Sequence, residues 1–173
     1  MLKKWLGILA VSTLVGCTTT QETEMDSQVE AMSSCEKIDA MIQGHQQGFP
    51  HLRMTLSNAK IMKVWKARYH LVGDSCQVWG WSADKFSYVC SLIEPDEAIA
   101  MEHFNQAKAI TRECLGEEWV LKEGARDMGE GIKAEFSKPG VATVVTMLAA
   151  SSPTVFKTEW KTYFFVGNPN DIK

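Results

Sequence analysis

Four cysteines, Cys35, Cys76, Cys90 and Cys114, are placed so that cross-links among them decide which segments of the chain must be neighbours. Residues 76–81 (CQVWGW) and 85–92 (KFSYVCSL) flank Ser82-Ala83-Asp84 and read as a β-hairpin. A turn centred on Ala83 sets Trp79 opposite Ser87 and Cys76 opposite Cys90. Directly opposed residues on antiparallel strands have Cα atoms about 4.5–5.5 Å apart, within the span of a disulfide. Cys35 falls early in one predicted helix and Cys114 late in another. Antiparallel packing of those helices brings the two thiols together. The expected pairs are therefore Cys76–Cys90 and Cys35–Cys114. Loop-closure entropy sets their worth at about 3 and roughly 4–5 kcal/mol as upper values. The chain has no Cys-x-x-Cys spacing, so neither a zinc site nor a thioredoxin-type redox motif is expected, and no metal or cofactor is assigned.

The fifth cysteine, Cys17, has a different context. Lys3 and Lys4 precede an apolar run from Leu6 to Val15. That run is too short for a hydrocarbon core of about 30 Å, which takes roughly 20 helical residues, and it suits a secretory signal. Export sends the remaining four cysteines to a compartment where disulfides persist. The signal closes on Leu14-Val15-Gly16-Cys17, which resembles the lipobox of bacterial lipoproteins. The resemblance implies a diacylglyceryl group on the Cys17 thiol, cleavage before it, and acylation of the new amine by a palmitate-type chain. Thr18 follows where an Asp would favour the inner membrane. The resemblance thus implies an outer-membrane anchor with the chain facing the periplasm.

Residues 1–16 are accordingly read as signal peptide and 17–33 as the lipidated cysteine with an acidic, flexible tether. That tether holds Glu22, Glu24, Asp26 and Glu30, carries no basic residue and shows no sustained apolar period. From Ser34 onward there are 16 basic and 17 acidic residues, so residues 34–173 form a nearly neutral single domain. That balance excludes a globally basic nucleic-acid binder.

Within this domain, Ser33-x-x-Glu36 has capping-box form and opens a helix over about 34–46, with Cys35, Ile38, Met41 and Ile42 at helical spacing. Residues 60–70 alternate as a strand, and the hairpin follows. Pro95, Asp96 and Glu97 open a second helix. Its stripe is Ala100, Phe104, Ala107, Thr111 and Cys114, and Gly116 ends it. Strands are expected over 118–123, 132–137, 141–148 and 158–166, with Pro139-Gly140 turning the middle pair. The fold expected is α+β: two layers, an antiparallel sheet with two helices on one face, in the order αβββ then αββββ.

No catalytic constellation emerges. His45, His51, His70 and His103 are scattered, and the pairs Asp96-Glu97 and Glu117-Glu118 sit where elements begin and suit caps and surface charge. There is no Gly-x-Ser-x-Gly elbow and no phosphate-binding loop. An enzyme is not expected. Two features suit binding. One is the basic strand, with Lys63, Lys66 and Arg68; the other is Trp79-Gly80-Trp81 near the hairpin tip. The functional expectation is a lipid-anchored envelope lipoprotein whose periplasmic domain binds another protein, in an accessory or assembly role or as a toxin-neutralising immunity protein. A periplasmic lipid or small-molecule carrier is the alternative, and an unrecognised hydrolase a weaker one. The partners expected are the membrane, through the acyl chains on Cys17, and an envelope protein, without nucleic acid.

Overall fold

A computed structural model describes residues 18–59, 61–73, 75–154 and 157–168. Residues 1–16, read above as a signal peptide, and Cys17 lie outside the described residues. The chain is α+β, with three helices and one eight-stranded antiparallel sheet. The helices are α1 (Thr18–Ala31), α2 (Ser34–His45) and α3 (Glu97–Leu115). The strands are β1 (Arg53–Asn58), β2 (Lys63–Ala67), β3 (Ser75–Gly80), β4 (Phe86–Glu94), β5 (Val120–Ala125), β6 (Gly131–Ser137), β7 (Val144–Pro153) and β8 (Thr158–Gly167). Their order across the sheet is β1-β2-β3-β4-β8-β7-β6-β5. Each half is a helix followed by a four-stranded meander, and the halves join where β4 pairs β8 antiparallel.

Two expectations are corrected. The order αβββ-αββββ lacks β1 (Arg53–Asn58), an edge strand paired only with β2 and interrupted by a bulge between Arg53 and Leu56. A strand with one partner and a half-exposed surface needs little apolar alternation, so its sequence signal is weak. The helix count is three rather than two, because the acidic segment read as a tether is helical over Thr18–Ala31. Among its described side chains, those shown to reach the folded body lie toward its C-terminal end, which gives the segment little apolar period. Val29 is buried in the core, Met32 packs against it, and Asp26 forms an ion pair with Arg68. Gln, Glu, Met and Ala in this segment are good helix formers, but a helix of 14 residues is marginal alone, so these contacts help to hold it.

The capping box opens α2: the Ser33 hydroxyl accepts from the Glu36 N–H at 3.3 Å, and the Glu36 carboxylate accepts from the Ser33 N–H at 2.7 Å. That fixed carboxylate has its pKa lowered by the two Ser33 hydrogen bonds. Asp96, rather than Pro95, begins α3, its carboxylate accepting from the Ile99 N–H at 3.0 Å. Helices α2 and α3 pack on each other and against β4, β7 and β8. The space between is filled by Ile38, Met41, Phe104, Phe136, Met147 and Phe164, all essentially inaccessible. Thr162 and Thr111 sit in this layer without loose hydroxyls. Thr162 donates to the Ala100 carbonyl at 3.2 Å and Thr111 to the Ala107 carbonyl at 2.7 Å.

Both expected disulfides are present. Cys76 and Cys90 stand directly opposite in the β3–β4 register and are bonded. Cys35 and Cys114 join α2 to α3. The two bridges differ in environment. Cys76 and Cys90 are 2% and 0% exposed, whereas Cys35 is exposed and Cys114 half-buried. A thiolate must reach the sulfur it attacks, so access sets the order of reduction. In folded protein under mild phosphine or dithiol, Cys35 and Cys114 should be alkylated at least tenfold faster than Cys76 and Cys90. Equal labelling rates, read by peptide mass mapping, would contradict this burial difference.

Candidate functional site

The turn after α2 builds the site's back wall. Gly48 (φ 71°) and Phe49 (φ 59°) both adopt left-handed backbone, a rare conformation for a phenylalanine. Burial holds Phe49 there: it is 0% exposed and packs edge-on against Tyr88, ring centroids 5.6 Å apart. Tyr88 is itself locked, since its hydroxyl accepts from the Tyr69 N–H at 2.8 Å and donates to the Tyr69 carbonyl at 2.6 Å. Burial raises the pKa of that hydroxyl far above the usual value. Gly48 is required because a Cβ there would collide with the Arg53 guanidinium and come within 2.7 Å of the Phe86 ring.

Beyond this turn, Arg53 at the start of β1 lies against two aromatic rings. Its guanidinium carbon is 4.2 Å from the Trp65 ring centroid and 4.4 Å from that of Phe86. Cation–π contacts of this kind contribute about 0.5–2 kcal/mol each, more when desolvated. Register explains the meeting. Lys63 and Gly80 are partners, as are Gly80 and Phe86, so Phe86, Gly80, Lys63 and Trp65 share the face that also carries the core. Gly80 leaves room for the rings; a Cβ there would sit 2.9 Å from Trp65 and 3.1 Å from Phe86.

The result is an open cleft of about 670 Å³ at the tips of the β1–β2 and β3–β4 hairpins. Arg53, Trp65 and Phe86 form its inner end, and Lys63, Trp81 and Met62 stand around it. Ile61, at 95% exposed, is the most open apolar residue on its rim. Among the described residues no acidic side chain lines it. Burial lowers the pKa of Arg53, and its Nε is buried without a hydrogen-bond acceptor. An arginine remains charged even so.

The residues singled out from sequence separate here. Lys63 and Trp81 line the cleft. Trp79 stacks edge-on against Trp81, centroids 5.5 Å apart, and belongs to a small cluster with Val89, Val144, Phe165 and Tyr163 on the opposite sheet face. Its indole N–H donates to Gln77 at 2.8 Å, and that of Trp81 to the Ser87 hydroxyl at 3.2 Å. Lys66 is exposed on the face opposite Lys63, because residues three apart on a strand point away from each other. Arg68 does not join them: its side chain is 7% exposed and paired with Asp26 on α1. The basic strand therefore presents no single positive face. Arg53, which sequence reasoning passed over, is the cation that the fold brings to the cleft.

Comparison of the chain with protein-family models, with curated proteins and with solved structures returns no match. The histidines stay dispersed. His45 is buried with Nδ1 2.7 Å from the Thr143 hydroxyl, and His103 Nδ1 lies 2.7 Å from the buried Glu94 carboxylate. His51 and His70 are exposed. Among the described residues no three His, Cys, Asp or Glu side chains are grouped to hold a metal ion, and no helix is long and apolar enough to cross a membrane.

Proposed function

We propose that this chain is a lipid-anchored lipoprotein of the bacterial envelope whose domain, with its helices layered on one face of the sheet, binds another protein through the hairpin-tip cleft. The anchor rests on the lipobox at Leu14-Val15-Gly16-Cys17. The observation that carries the binding reading is the cleft itself. It combines a rigid aromatic–arginine stack, Trp81 at its edge and the 95% exposed Ile61, the residue types concentrated at interface hot spots. The filled layer between helices and sheet favours this reading over a carrier, which needs a deep internal apolar cavity.

A photo-crosslinking residue in place of Ile61 should yield one discrete protein adduct in living cells. The same residue in place of Lys122, on edge strand β5 across the sheet, should not. Trp81→Ala should lower the Ile61-position adduct at least fivefold. An absent adduct at position 61, or the same adducts at both positions, would refute the proposal.

A further inference from the structure

We propose that the cleft recognises a carboxylate on a protein partner, an Asp or Glu side chain flanked by apolar residues, with Arg53 as the carboxylate-binding group. This deepens the protein-binding reading and rests on it.

Among the described residues, Arg68 donates to the Asp26 carboxylate, Arg112 to the Trp119 carbonyl at 2.9 Å and Arg126 to the Ser151 carbonyl at 3.4 Å. Among the described residues Arg53 meets no hydrogen-bond acceptor; the faces of Trp65 and Phe86 and the Gly48 backbone lie against it. A guanidinium partly withdrawn from water, its Nε buried without an oxygen partner, carries a cost to the fold. Ring faces offset part of that cost by attraction to the cation, but they leave its in-plane N–H groups unsatisfied. The structure therefore holds hydrogen-bonding capacity in reserve at the inner end of an open cleft.

Geometry selects the ligand. The Trp65 and Phe86 rings, with centroids 6.3 Å apart and planes tilted by 47°, cover the guanidinium from adjacent sides and restrict its orientation, leaving N–H groups on its other sides for a ligand. A planar carboxylate accepts two parallel N–H bonds from such a fork. Lys63 adds a second positive charge at the mouth, and no acid opposes it. The remaining surface near the charge is apolar: Ile61, Met62, Trp81 and Ala83. A single carboxylate beside an apolar side chain matches one fork, one flanking ammonium and an apolar rim. A phosphate dianion would call for more donors than these. The domain's nearly neutral balance makes this local cationic cleft a feature of placement rather than of composition.

The test uses the detergent-solubilised full chain and two synthetic peptides, acetyl-Gly-Leu-Phe-Glu-Gly-amide and its Gln counterpart, with inorganic phosphate as a third probe. Indole N–H resonances of Trp65 and Trp81 report the cleft; those of Trp119 and Trp160 report the fold. The Glu peptide should shift the first pair saturably and bind at least tenfold tighter than the Gln peptide. Arg53→Gln should erase that preference while Trp119 and Trp160 stay in place. Should Arg53→Gln disturb those two, Lys63→Gln, an exposed change, should still weaken the Glu peptide at least threefold. Equal binding of both peptides, saturation of the same shifts by phosphate, or no effect of either variant would overturn the inference. The position-61 adduct separates the two claims. If it persists in Arg53→Gln cells while the peptides fail to discriminate, the protein-binding reading stands and the carboxylate does not. If no adduct forms in the parent chain, the binding reading itself fails.

Discussion

Cys17→Ser should move the protein from the membrane fraction to the soluble fraction almost completely. Each buried CH₂ of an acyl chain contributes about 0.8 kcal/mol, and stable anchoring needs two signals such as paired chains. The proposed anchor needs the Cys17 thiol to carry the diacylglyceryl group, which serine lacks, and the lipobox resemblance makes cleavage before residue 17 depend on that group. The precursor would keep only the apolar run from Leu6 to Val15, too short to span a bilayer in a helical conformation. The measurement is fractionation after a high-salt wash, with metabolic labelling by a fatty-acid analogue. Retention of Cys17→Ser in the membrane after that wash, or continued acylation, would contradict lipid anchoring. Because the cleft lies in the domain beyond residue 33, peptide discrimination by Arg53 should survive this substitution.

The second large effect is expected at Gly131, where β6 begins. Its φ of 141° lies outside the range of other L-residues, and a Cβ there would collide with the Ala149 carbonyl oxygen and come within 2.9 Å of the Ala150 Cα. Those atoms are backbone of β7, the strand that pairs with both β6 and β8, so no side chain can rotate away to make room. Gly131→Ala should cost about 3–5 kcal/mol, combining backbone strain with displacement of a paired strand. Gly124, on edge strand β5, is the control. Nothing lies within 4 Å of its Cβ position, and Gly124→Ala should be neutral or stabilise by about 0.5–1 kcal/mol. Urea denaturation of both variants gives the comparison. A loss under about 1 kcal/mol at Gly131, or equal losses at the two positions, would show that β7 yields more readily than its pairing implies.

The parts of the fold legible in the sequence are those set by local geometry. A short turn at Ser82-Ala83-Asp84 fixes the β3–β4 register, which in turn places Cys76 against Cys90. Capping residues Ser33 and Glu36 begin α2, and Asp96 caps α3 within one residue of the expected start. Most of the apolar stripes of those helices face the core, with Ile38, Met41, Ala100, Phe104 and Thr111 buried, whereas Cys35 is exposed and Ile42 and Cys114 are half-buried. The elements that escaped notice are held by partners distant in sequence. Strand β1 is defined by pairing with β2 rather than by its own alternation, and α1 by contacts of Asp26, Val29 and Met32 with the folded body.

The candidate site shows the same division more sharply. Lys63, Lys66 and Arg68 look alike in sequence, yet one lines the cleft, one faces the other side of the sheet and one is consumed by Asp26. Strand parity separates the first two, and a helix with no sequence signal captures the third. Arg53 carries no mark in its neighbourhood because its aromatic partners arrive from β2 and β4, through pairings that form only when the sheet assembles.

By itself the sequence carried the lipobox resemblance and the short apolar run on which the proposed anchor rests, and it determined the α+β class and the two disulfide pairs, one within a hairpin and one between helices. These depend on residues near one another or on spacings that a turn converts directly into distance. Tertiary structure alone decided which cations are free to act. Side-chain charge is a property of one residue, but its availability depends on whether a carboxylate, a carbonyl or only an aromatic face is brought beside it. For Arg68 the fold supplies Asp26; for Arg53 it supplies two rings and an open cleft.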